Sequence, residues 1–116
     1  MARYQALPPE EFAAVCARID AGEASRDDLK AATKHLAAVL VAKAPGANVE
    51  VRIPPFAAVQ VIAGARHTRG TPPAVVEMDP ATWIALGRGR LAWADAKVRA
   101  SGERSDLSTL LPLDIA

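Results

Sequence analysis

The chain has 116 residues, 51% of them hydrophobic and 23% charged, with a net charge of +1. That length suits one domain over residues 1–116. The composition excludes a disordered polymer, and the near-neutral charge offers no basic stripe for nucleic acid. Cys16 stands alone, which excludes an intrachain disulfide or a cysteine zinc site.

The first helix is expected to start near Pro8-Pro9-Glu10-Glu11. Proline suits a first turn whose N–H groups lack partners, and carboxylates favour the positive end of the helix dipole. Phe12, Val15, Cys16 and Ile19 recur on one face at helical spacing, and Gly22 ends the run. Ser25 caps a second helix with Asp27 and Asp28 in its first turn. Leu29, Ala32, Leu36, Val39 and Leu40 form its stripe, His35 falls on its polar face, and Pro45-Gly46 stops it. Residues 49–53, VEVRI, alternate strictly and predict a half-buried strand. After the Pro54-Pro55 break, residues 56–63, FAAVQVIA, lack alternation and predict a central strand covered on both faces. Residues 64–73 are too rich in turn formers for regular structure, and a third strand follows at about 74–78.

Asp79 as N-cap and Pro80 at the first helical position start a third helix, with Trp83, Ile84 and Leu86 inward. Gly87 and Gly89 release the chain, Leu91 and Trp93 re-enter the core, and Asp95 lies on a short turn. Arg88 and Arg90 suit the negative end of the third helix, and both can also bind anions. Residues 97–101 alternate again with Val98 and Ala100 inward; Gly102 turns. Ser105 caps a last helix whose stripe is Leu107, Leu110 and Leu111, before Pro112. The sum is an α+β domain: an N-terminal helix pair and further helices packed on one side of a mostly antiparallel sheet of four or five strands.

The order from Val75 to Leu111 resembles the C-terminal half of the sterol carrier protein domain. The residues that carry it are Val75, Val76, Asp79, Trp83, Leu86, Gly89, Arg90 and Leu91, then Ala94–Ala96, Val98–Gly102 and Ser105–Leu111. The stretch VEVRIPPFAAVQVIAGARHTRGTPPAVVEMDP is similar to a branch of short bacterial sterol carrier orthologues, and the resemblance covers roughly residues 25–113. It implies a sterol carrier-like fold and an apolar tunnel for a hydrophobic ligand. The C-terminal module of mycothiol-dependent maleylpyruvate isomerases shares the pattern, so the fold alone does not fix a function. Unlike the eukaryotic carriers, the chain adds an N-terminal helix pair and ends soon after its last helix.

Phe56, Val59, Val61, Trp83, Leu86, Leu91, Leu110 and Leu111 are the candidate wall of such a cavity, and they serve equally well as plain core. The ligand class implied is fatty-acyl or sterol-like. Arg66, His67 and Arg69, on a Gly/Pro loop, can hold an anionic headgroup or simply solvate the loop. That loop fits no phosphate-binding pattern, because Pro72 and Pro73 remove N–H donors. Catalysis is not expected: Cys16 lies on an apolar stripe, no carboxylates cluster, and two histidines make no metal site. No cofactor is implied. The competing expectation is a ligand-free interaction module that forms a homodimer or docks on a larger enzyme. With no apolar h-region near the start and no run of about 20 apolar residues, no integral membrane segment is expected. A lone cysteine at an apolar helical position points to a reducing cytoplasm.

Overall fold

The computed structural model describes residues 4–63, 74–102 and 106–113. Helix α1 (Pro9–Asp20) opens with Pro9 and has Glu10 and Glu11 in its first turn, burying Phe12, Val15 and Cys16. Helix α2 (Arg26–Lys43) begins with a full capping box: the Asp28 N–H donates to Ser25 Oγ at 3.1 Å, and the Ser25 N–H donates to Asp28 Oδ2 at 3.0 Å. The same carboxylate receives two bonds from the Arg18 guanidinium, at 2.9 and 2.8 Å, tying the end of α1 to the start of α2. Phe12 near the start of α1 meets His35 midway along α2, while Arg18 near the end of α1 meets Asp28 at the start of α2, so the two helices run antiparallel.

Helix α2 is followed by a turn that only glycine can make. Gly46 has φ +150°, and a Cβ there would collide with the Ile62 carbonyl. The Ile62 N–H donates to the Ala44 carbonyl at 2.7 Å, which joins the end of α2 to the end of the second strand.

The sheet contains β1 (Val49–Ile53), β2 (Ala57–Val61), β3 (Ala74–Glu77) and β4 (Arg99–Ser101), in the order β2-β1-β3-β4. The outer pairings, β1 with β2 and β3 with β4, are antiparallel, and the central pairing of β1 with β3 is parallel. The sheet is therefore mixed. Register sets Val59 beside Val51 and Val51 beside Val76, a buried apolar row facing the helices. On the other face Arg52 stands beside Glu77, and Glu77 beside Arg99, alternating charges that suit a wetted surface. Helix α2 lies over β2, and α3 (Pro80–Gly87) packs beside α2. Asp79 caps α3 by accepting the Thr82 N–H at 2.7 Å, with Pro80 at its first position.

Four sequence expectations are corrected. FAAVQVIA does not form a central strand covered on both faces. Among the described residues β2 is an edge strand, with Ala57, Val59 and Val61 buried and Ala58 and Gln60 exposed. Ala58 is apolar but small enough to face water cheaply, so it concealed the alternation. The fourth strand is shorter than predicted and wholly exposed: Ala100, expected inward, is exposed, and Val98 is half-buried just before the strand. The last predicted helix is a single 3-10 turn, Ser108–Leu110, preceded by the Ser108 N–H donating to the Asp106 carboxylate at 2.8 Å. The cap expected at Ser105 lies outside the described residues. His35 leaves the polar face assigned to it and is buried.

Candidate ligand site

Four of the candidate wall residues come from β2 and α3. Val59 and Val61 lie on the buried face of β2, Trp83 and Leu86 on α3, and Leu36 and Leu40 of α2 join the same core. Trp83 and Val61 have no exposed surface. Trp83 is held by its own polar handle: the indole N–H donates to the Thr33 carbonyl of α2 at 3.1 Å. Gly87 lets the end of α3 approach α2, for a Cβ there would stand 3.0 Å from Leu36 Cδ1 and 3.5 Å from Leu113 Cδ1. Leu91, Leu110 and Leu111 are half-buried and pack against the margin of this core. Phe56 stands apart from it, at the β1–β2 turn, with the Arg26 guanidinium 5.1 Å above its ring. Seven of the eight candidates are thus gathered around one apolar layer, and the eighth sits at its hairpin end.

The C-terminal segment closes the margin through backbone contacts. The Leu113 N–H donates to the Gly87 carbonyl at 3.0 Å, and Lys43 Nζ donates to the Leu110 carbonyl at 2.8 Å. Leu107 is fully buried and Leu113 nearly so, which makes them the anchors of this segment. Leu113 carried no periodic signal, since Pro112 interrupts the pattern before it.

The polar candidates fare differently. Arg66, His67 and Arg69 lie outside the described residues. Arg88 and Arg90 both clasp one carboxylate, Asp20 at the end of α1, with donor distances of 2.9 to 3.3 Å. Arg88 and Arg90 hold the Asp20 carboxyl below its ordinary value, Arg88 most strongly. Cys16 is buried beneath this cluster; burial pushes its thiol up, Arg88 pulls it down and Asp20 pushes it up. Among the described residues no group of three His, Cys, Asp or Glu could hold a metal ion. His35 accepts the Leu7 N–H at Nδ1 (2.8 Å) and stacks on Phe12 with ring centroids 3.9 Å apart.

The surface of the described residues carries at least three grooves, two of which lie beside the helix pair and the hairpin end. One of about 350 Å³ lies at the hairpin end between Tyr4, Arg52, Pro54, Pro55, Phe56 and Glu77. The other, of about 420 Å³, runs between α1 and α2 past Leu7, Glu11, Val15, Arg18 and Asp28. No described helix is long and apolar enough to cross a membrane.

No curated protein matches the sequence. A family model described as bacterial SCP ortholog matches residues 25–113, from the Ser25 cap of α2 to the Leu113 anchor, so the chain belongs to that family of bacterial sterol carrier protein orthologues.

Proposed function

We propose that the protein binds a hydrophobic molecule, fatty-acyl or sterol-like, between its helix layer and its sheet, and carries it without catalysis. The observation that supports this most is the pairing of family membership with an aliphatic layer whose margin is formed by half-buried Leu91, Leu110 and Leu111. A ligand pocket needs at least about 300 Å³. Left empty, such a volume would cost roughly 7 kcal/mol at about 24 cal/mol per Å³, against a total domain stability of about 5–15 kcal/mol. A permanently empty tunnel is therefore disfavoured, and the close burial of Trp83 and Val61 suits a ligand-free form. Admission of a ligand parts the C-terminal segment from the apolar layer beneath it. The lone buried thiol suits a reducing compartment, and the cytoplasm is where we place the protein.

The test is native mass spectrometry on protein from its own host, followed by organic extraction of what is bound. A copurifying lipid supports the carrier and names its ligand class. A clean apo mass, monomer or dimer, sinks it and favours the interaction module in its place.

A further inference from the structure

The residues ahead of α1 do more than lead into it. Their backbone runs from the hairpin groove to the middle of α2, and it is held at both ends. At one end Tyr4 lines the groove with Pro54, Pro55 and Phe56; its hydroxyl accepts the outward N–H of Ala58 at 3.4 Å, and Lys34 Nζ lies 5.6 Å above its ring. At the other end the Leu7 N–H donates to Nδ1 of His35, a contact across 28 positions of sequence. An imidazole nitrogen accepts a hydrogen bond only when it carries no proton. Protonation of His35 places a hydrogen on Nδ1, facing the Leu7 N–H, so two donors then oppose each other where one bond had been.

We propose that Tyr4–Leu7 form a strap latched by neutral His35, and that protonation of His35 releases it, uncovering the hairpin groove and the Ala58 amide on the edge of β2. The chemistry of the contact sets its sign. His35 is buried against Phe12, and burial alone holds its pKa below the ordinary imidazole range. The charged groups on the surrounding elements are Glu11 on α1, Lys34 on α2, and Arg52 and Glu77 across the groove. With its folded pKa lowered, His35 favours the latched form fully above the ordinary value of about 6.5, and that preference is lost as pH falls below it. One proton is linked to the change. The open fraction therefore rises by up to about tenfold per pH unit between the ordinary value and the lowered one.

The experiment is an NMR titration of the ¹⁵N-labelled full chain from pH 8 to 5, following the Leu7 amide, the His35 ring and the Trp83 indole. The expected result is that the amides of residues 5–7 shift and gain mobility with the His35 titration while the Trp83 indole stays fixed. In His35→Asn, a side-chain carbonyl can stand near the Nδ1 position without titrating, and the Leu7 amide should then be independent of pH. Three outcomes overturn the proposal. One is a His35 ring that titrates while Leu7 stays still. Another is a Leu7 transition that persists in the variant. The third is joint movement of Leu7 and the Trp83 indole, which is unfolding of the domain and not release of a strap. The first and third need only the unaltered protein, so the proposal stands or falls even where the variant does not fold.

Discussion

Helix α2 and the segment from Leu91 to Leu113 cover the same apolar layer by opposite means. Helix α2 is one uninterrupted element of 18 residues, with a reciprocal cap at its start and Ala32, Leu36, Ala37 and Leu40 fully buried along one face. Among its described residues the later segment has two single 3-10 turns and a three-residue strand that is exposed throughout, with Leu91, Trp93, Val98, Leu110 and Leu111 only half-buried. Among its described residues, Leu107 and Leu113 are the only buried hydrophobic side chains. Regions with few buried apolar contacts open at the lowest free energy. The contrast teaches where a ligand would be admitted: along the margin of the later segment, with α2 and the sheet as the fixed wall.

The largest expected effect is at Trp83, which belongs to the fixed side. Trp83→Ala removes a completely buried indole and its bond to the Thr33 carbonyl, and should lower unfolding stability by about 3–5 kcal/mol in a urea titration. A loss under about 1 kcal/mol would mean that Trp83 borders a space already able to relax, and the contrast between the two regions would fail at its strongest point.

Leu111→Ala tests the other side. A half-buried leucine should cost about 1 kcal/mol, well under the value for a fully buried one. Its effect on uptake of a fluorescent fatty-acid analogue should be the larger readout, with faster release and weaker binding. Equal costs for Trp83→Ala and Leu111→Ala would break the distinction between wall and margin. Unchanged uptake would move the mouth elsewhere.

Ser25→Ala sharpens the account of α2 itself. Loss of the hydroxyl leaves the Asp28 N–H without its acceptor and should cost about 1 kcal/mol, read as a lower urea midpoint at constant slope. Ligand uptake should not change, since the cap lies at the far end from the margin leucines.

The cap is also where the sequence was easiest to read. Ser25 with Asp28, Asp79 with Pro80, and the alternation of VEVRI are local signals, each contained within five residues. What escaped depends on partners distant in the chain. His35 sits on α2 between Lys34 and Leu36 and was assigned to the polar face, because nothing local announces that Leu7 and Phe12 will cover it. The place of β2 at the sheet edge follows from β3 pairing parallel to β1, a choice made some twenty residues later. Leu107, Leu110 and Leu111 have helical spacing, yet Pro112 leaves room for only one turn. The candidate wall was legible as a set of apolar residues, but its division into buried wall and half-buried margin was not, since depth is decided by packing. Arg88 and Arg90 were read against their own helix end, whereas their partner is the carboxylate of α1, 68 and 70 positions away.

That carboxylate gives the smallest expected effect, and it ties the end of α1 to the end of α3. Asp20 is exposed, so the loss of stability in Asp20→Asn should be minor and should shrink in 1 M salt, where screening reaches about 3 Å. Its pH dependence has a definite sign. Arg88 lowers the folded pKa of Asp20, so its contribution is complete above the ordinary carboxylate range and is lost only as pH falls below about 4. The Leu7 transition expected of His35 between pH 7 and 5 should therefore survive Asp20→Asn unchanged. The same substitution has a second readout at Cys16. Asp20 pushes the thiol pKa up while Arg88 pulls it down, so removing the carboxylate charge should favour the thiolate and speed alkylation of Cys16 at pH 8. Slower alkylation would mean that Arg88 has swung away from the thiol. The end of α3 would then be held against α1 by that one carboxylate, and the margin would begin one element earlier than Leu91.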